Sequence, residues 1–450
     1  MSDLSSMNRE NKKRQLRRQM IDSEDARRAS ELARHGGGGP RRSQEDGRRF
    51  LSGRPESGRS EEEEIVRAAE KRVRRRRLKI AAAVVAAAVA AAGGFAFYTA
   101  THQYTGYGVV WESPMAASDT SFVRYVNFED NVLKYTKDGA SYINGKGETV
   151  WSKSYEMKSP VCYVNQGSAV IADRQGTGIY IFDESGCQGE AQSLLPIQRA
   201  AVSAYGVTAV MTEDAKASYA AFYKKDGSSL DWNIKSILSG DGYQTDISVS
   251  PEGTQVMVAY ACLKNGNLSG KVVFYNFSEV GKNYKNRVVG GFDEIYEGSL
   301  VPRVRFLDEE HACAIADNGI SFYSLRNIAS PELVAHVPVE EEIVSVGYSD
   351  KYVACTTPNG SGLYDYTLYV YKADGTLAFS KDIDFQYRYM DIDGDNVILY
   401  NESSCRVYNM SGVEKFKGEF DFSVSHIRPG RMPGTLMVTG PETMKEIRMK

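Results

Sequence analysis

The chain has 450 residues, 42% of them hydrophobic, and a formal net charge of −3. That balance hides two segments of opposite sign: residues 1–78 carry 22 Lys and Arg against 14 Asp and Glu, whereas residues 79–450 carry 33 against 44. The acidic body argues against binding nucleic acid or an anionic membrane surface.

Residues 1–59 are rich in Arg, Ser, Gly and Glu, with HGGGGP at 35–40 and few aromatics. Such a segment cannot bury enough surface to offset its ordering entropy, so a disordered basic tail is predicted. Ser60 and Glu63 form a capping box, and Glu61–Glu64 place negative charge where a helix start favours it. The span 60–78 is therefore predicted as a charged juxtamembrane helix. Its Arg74–Arg77 end suits anionic lipid headgroups, and the tail offers a surface to a cytoplasmic protein partner.

Residues 79–100 are predicted as one transmembrane helix. From Ile80 to Tyr98 the run IAAAVVAAAVAAAGGFAFY holds no charge for 19 residues, close to the ~20 that span a ~30 Å hydrocarbon core. The basic cluster Arg72–Lys79 keeps its N-terminal side in the cytoplasm, while Tyr98 and Tyr104 suit the opposite interface. A tail this long ahead of the apolar run argues against a cleaved signal peptide. The expected location is the cell membrane, single-pass, with the C-terminal domain extracytoplasmic.

Beyond this point no long 3.6-residue period occurs. Short Val, Ile, Tyr and Phe runs alternate with Gly, Asp, Asn and Ser, as many antiparallel strands require. One phrase recurs: an alternating aromatic run, a polar residue, then a turn ending in Gly. It reads ASYINGKG (140–147), IYIFDESG (179–186), AAFYKKDG (220–227), VFYNFSEVG (273–281), LYVYKADG (368–375) and RVYNMSG (406–412), with a decayed copy, ISFYSLRN, at 320–327. The closing residues lie 39, 41, 54, 46, 48 and 37 apart. Periods of that size are those of four-stranded propeller blades. Residues 104–450 are therefore expected to form an all-β propeller.

Innermost strands are expected to begin near Ser121, Pro160, Arg199, Thr245, Pro302, Ile343, Tyr387 and Ser425. That makes eight blades of about 44 residues; seven blades, the alternative, would need about 50 each. The last blade has only two strands after its first, TLMVTG and MKEIRM, whereas YGVVWES (107–113) precedes the first blade without a partner. Tyr107–Ser113 is thus expected to close the ring, with Trp111 anchoring it. All six cysteines lie in this domain, four of them inside apolar strand-like runs, and are expected to be free buried thiols.

The line GYQTDISVSPEGTQVMVAY (242–260), VVFYNFSEVG (272–281) and the final MKEIRMK resemble a family of unknown function. Its members are membrane-anchored proteins of clostridial-type Gram-positive bacteria, with one span and an extracytoplasmic quinoprotein-like or WD40-like propeller. The resemblance implies the fold and the topology and supplies no catalytic residues.

Patterns that carry chemistry are sparse. Asp391-Ile-Asp393-Gly394-Asp395 with Glu402 invites a calcium loop, but the glycine comes two positions early and a tight turn explains Asp393-Gly394. No His has a Ser, Cys or carboxylate at a recognisable spacing, and no cofactor platform is evident: the expectation is no metal and no cofactor. Loops entering the inner strands, and those between second and third strands, offer Arg199, Tyr243, Arg303, Tyr366, Tyr387 and Arg388 as ligand-binding candidates. Insertions at 264–270, 292–302 and 357–366 flank them. The leading expectation is a non-catalytic binding or scaffold module of the cell envelope with a protein or glycan ligand. An exported quinoprotein-like or hydrolytic enzyme, and a transmembrane signal transducer, are the alternatives.

Overall fold

The computed structural model describes residues 78–94, 97–98, 101–115, 122–264 and 266–450. The expected tail (1–59) and most of the expected juxtamembrane helix lie outside the described residues. Residues 78–94, 97, 98 and 101 are helical. Among the described residues no helix is long and apolar enough to cross a membrane.

From Tyr107 onward the chain forms eight four-stranded antiparallel sheets, the blades of a propeller. The inner strands are Val123–Phe128, Pro160–Asn165, Ile197–Val202, Tyr243–Val249, Arg303–Phe306, Ser345–Tyr348, Tyr389–Asp393 and His426–Pro429, for blades 1 to 8 in turn. Each starts within about two residues of its expected position.

The recurring phrase is the third strand of blades 1–7 and its turn into the outer strand. In blades 1–7 the register between these two strands shifts at one place, from Tyr142/Ile143 in blade 1 to Val407/Tyr408 in blade 7. A bulge there twists the outer strand. The closing glycine meets two demands. Gly375 has φ +84° and donates its N–H to Lys372 O at 2.9 Å, and a Cβ on it would lie 2.8 Å from the Ala335 methyl of the preceding blade. Only glycine satisfies both the turn and that close approach.

Eight apolar clusters fill the gaps between successive blades, one to each gap. Because every blade is covered on both faces, its middle strands read as continuous apolar runs. In Gln255–Lys264, Val256, Val258 and Tyr260 face blade 3, while Met257 and Ala259 face blade 5. Cys313, Cys355 and Cys405 are buried among these residues, and all six cysteines are free.

Blade 8 closes the ring as expected. Its order is Tyr107–Pro114, Thr443–Met449, Thr435–Thr439, His426–Pro429, so its outer strand comes from the N-terminal side. Pairing runs from Tyr107 opposite Met449 to Pro114 opposite Thr443. Trp111 is half-buried and donates its indole N–H to Glu446 Oε2 at 2.7 Å. The gap between blades 8 and 1 has the smallest cluster: Val132, Ile143, Met437 and Met444, with Trp111, Met115 and Tyr125 against it.

The expected insertion at 264–270 is instead the tip of a long hairpin, since Gln255–Lys264 and Asn267–Asn276 pair throughout. Residues 292–302 hold the short 3-10 turn Glu294–Tyr296.

Trp111→Ala is expected to destabilise the propeller by about 2–4 kcal/mol, below the cost of a fully buried tryptophan. Chemical denaturation of the full-length protein measures this. A loss under about 0.5 kcal/mol would mean that the closing strand is not anchored by Trp111.

Candidate functional site

The ring encloses a central channel walled by the inner strands. Their ends define two ends of the propeller. The turns joining first to second strands lie at the proximal end, where the chain also enters its closing strand. The loops between blades and between second and third strands lie at the distal end.

The main cavity in the channel holds about 1160 Å³. Tyr125, Tyr205, Tyr348 and Tyr389 line it, together with the first turns that carry Glu129, Gln166 and Gly394. It therefore reaches the proximal end, opposite the loops from which the sequence reading expected a pocket to be built. The Arg305 side chain crosses the channel from blade 5, donating from Nη2 to Val164 O of blade 2 at 2.9 Å. Its guanidinium lies 4.9 Å from the ring centroid of Tyr348. A smaller cavity of about 370 Å³ opens distally among blades 2 to 5.

The floor of the main cavity, where blades 7, 8 and 1 meet, is a directed hydrogen-bond ladder. Asn127 donates from Nδ2 to Asp391 Oδ2 at 2.9 Å and to Asp393 Oδ2 at 3.2 Å. Two carboxylate acceptors settle the orientation of that amide, so its Oδ1 must accept from His426 Nε2, 2.7 Å away. His426 Nδ1 is then the acceptor for the Tyr400 hydroxyl at 3.1 Å. The imidazole is thereby the neutral Nε2–H tautomer, which its burial independently favours. Arg428 completes the corner, donating from Nη1 to Asn131 O at 2.6 Å, with Nη2 3.9 Å from Asp393 Oδ2.

Burial, reinforced by the Asp393 carboxylate, lifts Asp391 from 3.8 to about 7. Asp393 is also raised by burial, against the pull of Arg428. Burial, with Arg428 adding to it, drops His426 from 6.5 to about 3.

The structure brings together some of the sequence-derived candidates. Arg199 and Tyr243 line the smaller cavity. Arg199 Nε lies 3.8 Å and Arg303 Nη1 3.9 Å from Asp246 Oδ1, which places Arg303 beside that cavity. Tyr366 and Tyr387 meet edge-on at 5.1 Å, and the Tyr387 hydroxyl is held by Ser345 and Thr356. Arg388 lines the main cavity and pairs with Glu402. Asn127, Arg305, Asp391 and His426 were not among the candidates. Their common signal is a polar residue on the short inner strand of a blade.

What this arrangement can do chemically follows from where the reactive groups lie. Asp393 and Gly394 make the tight first turn of blade 7, and Glu402 is engaged by Arg388. Among the described residues no group of three or more His, Cys, Asp and Glu could hold a metal ion. Trp111, Trp151 and Trp232 all stand in outer strands, away from the channel. Ser321 and His336 lie 3.0 Å apart, but that serine is fully buried. Burial pushes the Cys162 thiol, on the channel wall, well above its usual range. The carboxyl pair and the imidazole at the floor are already spent on Asn127 and Tyr400.

The floor residues carry opposing proton linkage. Asp391 holds its proton in the fold up to about pH 7, so its contribution is full below 3.8 and is lost as pH rises. His426 refuses a proton in the fold, so its contribution is full above 6.5 and is lost as pH falls toward 3. Between 3.8 and 6.5 the two slopes cancel. Asp391→Asn removes its opposing slope, leaving only that of Asp393, and unfolding free energy should then rise with pH more steeply than in the native chain, by about 1.4 kcal/mol per pH unit. Denaturant titrations at several pH values measure it; parallel curves would contradict the ladder.

No curated protein matches the sequence. Solved structures similar to this chain are propellers of low identity. BamB from Moraxella catarrhalis is 10% identical, covering 76% of this chain and 100% of its own, with a TM-score of 0.48. The Pan2 WD40 domain of Neurospora crassa is 9% identical over 78% and 97%, with a TM-score of 0.39. Apo AztD from Citrobacter koseri is 9% identical over 67% and 87%, with a TM-score of 0.44. By sequence, residues 100–449 match a family of unknown function, DUF5711, and the chain belongs to that family.

Proposed function

We propose that the protein is a membrane-anchored, extracytoplasmic binding module whose main channel cavity takes a glycan without transforming it. The observation that carries this reading is the pairing of a hydrogen-bonded polar floor with a tyrosine-lined wall. The Asn127, His426 and Tyr400 groups of that floor are engaged with one another or with the two carboxyl groups, which leaves no free nucleophile and base poised on one another. Tyrosines present a ring face to the C–H face of a sugar and a hydroxyl to its oxygens. A concave cavity of about 1160 Å³ suits an oligosaccharide end. Docking a folded protein would need ~800 Å² of surface on each partner.

One observation favours catalysis instead. Asp391, raised to about 7, has the acidity of a general acid. Both of its neighbours in the ladder belong to the floor, so this carboxyl has a structural role in the binding reading and a chemical one in the enzymatic reading.

Anchoring rests on the charge-free run Ile80–Tyr98 and the arginines before it. Leu78, Ile80, Val84, Val85 and Val89 are exposed apolar side chains on the described helix, and such a helix face needs an apolar solvent. A basic stretch on the cytoplasmic side would add attraction to anionic lipid.

Two measurements test the reading. Calorimetric titration of the detergent-solubilised full-length protein with soluble cell-wall oligosaccharides should show saturable binding. Tyr348→Ala should weaken it by about tenfold, the loss of one stacked ring, and Lys282→Ala on the outer rim should not. Binding indifferent to Tyr348 would remove the channel from the reading, and cleavage of the sugar abolished by Asp391→Asn would install the enzyme. Protease added to protoplasts should digest the region after Thr101 and spare an epitope placed before Arg72; the reverse pattern would invert the topology.

A further inference from the structure

The main cavity carries a charge that its tyrosines do not account for. Of the described residues that line it, Glu129, Asp350, Asp391 and Asp393 bear carboxyl groups and Arg388 is the one cation. Glu402 already engages that guanidinium. Arg305, crossing the channel, spends Nη2 on Val164 O and its flat face on Tyr348. Asp391 and Asp393 share the Asn127 amide, and Arg428 Nη2 stands 3.9 Å from Asp393 Oδ2, beyond hydrogen-bond distance. Neither Glu129 nor Asp350 is hydrogen-bonded or ion-paired among the described residues.

The same sign continues around the proximal mouth. The turns joining first to second strands hold eight Asp and Glu, from Glu129 in blade 1 to Asp395 in blade 7, against Lys351 and Arg431. Arg431 lies against Gly145 in the outer turn of blade 1, where a Cβ would stand 2.7 Å from its Nε. His311 and Arg326 engage Asp308 and Glu310, which leaves six carboxylates to the mouth. They crowd one another. Burial, with the Glu184 and Asp130 carboxylates beside it, holds Glu129 above its usual range. Glu309 is likewise raised by burial and by the Glu252 and Asp308 carboxylates, against the Glu252 N–H. Apolar walls focus the field of such charges into the opening, where a cation relieves their repulsion.

Backbone geometry places one of these groups at the cavity itself. Glu129 is held at φ +48°, as Gln166 is at φ +44° in the corresponding turn of blade 2. From there the Glu129 carboxylate reaches blade 2: its Oε1 lies 3.9 Å from where a Cβ on Gly167, a lining residue, would stand. Ring faces stand nearby, with Tyr205 71% exposed in the next turn and Tyr348 39% exposed on the wall of blade 6. Two cations of the protein already lie over rings of this cavity, Arg305 at 4.9 Å from the Tyr348 centroid and Arg388 at 5.5 Å from that of Tyr389. A neutral sugar would desolvate the carboxylates without a counter-charge, and a sugar acid or phosphate would add a like one. A sugar whose nitrogen is unacylated gives an ammonium to the carboxylates and keeps its C–H face for the rings.

We infer that the main cavity selects an amino sugar with a free ammonium group, which the Glu129 and Asp350 carboxylates take at the mouth while the tyrosine rings take the sugar face. This inference rests on the glycan reading and names the class of glycan.

The test is calorimetric titration of the full-length protein in detergent, at about pH 6 where such amines are charged, with a glucosamine tetrasaccharide, its fully N-acetylated form and spermine. The free-amine sugar should bind at least about tenfold more tightly than the acetylated one, and raising salt to about 0.5 M should shrink that gap. Glu129→Gln combined with Asp350→Asn, both exposed positions, should cost the free-amine sugar about tenfold and leave the acetylated one unchanged. Tyr348→Ala should weaken both sugars by a similar factor. Equal affinity for the two sugars, or indifference of the free-amine form to the double variant, would overturn the inference and leave the glycan reading standing. Spermine binding as tightly as the amino sugar would overturn it in favour of a polyamine. Failure of both sugars to bind would remove the glycan reading itself.

Discussion

Everything in this structure depends on one pairing, that of Tyr107–Pro114 with Thr443–Met449. Each gap in a propeller is filled by residues from two neighbouring blades, so the gap between first and last blades stays unfilled until the ring shuts. The closing gap has the thinnest apolar filling of the eight, four buried residues with three more against it. Polar residues take over there. Asn127 of blade 1 joins Asp391 and Asp393 of blade 7 to His426 of blade 8, and Arg428 reaches back to Asn131. Directed hydrogen bonds specify one arrangement more sharply than apolar contact does, and here they sit where the register of the ring is decided.

The same residues make the floor of the channel, so closure and site are one construction. Inner strands are short and converge, which leaves the ring axis unfilled and turns the inward side chains of eight strands into a wall. Direction in the ladder sets protonation. With both carboxyl groups held by one amide, the amide must face the imidazole with its oxygen, and the imidazole must keep its proton on Nε2. Burial then pushes the carboxyl and the imidazole toward their neutral forms.

The channel carries two chemistries, with Arg305 crossing it from blade 5 to satisfy the Val164 carbonyl of blade 2. Blades 2 to 5 contribute the cationic lining, and blades 6 to 8 with blades 1 to 3 contribute the tyrosines and carboxyl groups. An uneven ring of this kind has two distinct mouths, although its blades repeat one plan.

What the sequence by itself determined is the repeat. The aromatic third strand and its bulge recur because the same local geometry recurs, and at Gly147, Gly227, Gly375 and Gly412 a positive φ and a close neighbour both call for glycine. Strand alternation and turn residues act over a few positions, so the eight inner strands could be placed within about two residues and the unpartnered Tyr107–Ser113 could be assigned to the last blade. Only the tertiary structure decided the sites. Asn127 stands 264 residues from Asp391 and 299 from His426. No spacing or motif links them, and their partnership exists only once the ring is shut. Arg199 and Tyr243 were legible as loop-end residues. Their convergence with Arg174 was not, because a turn of blade 2 is stitched to blade 3 through backbone atoms, which carry no residue-specific signature.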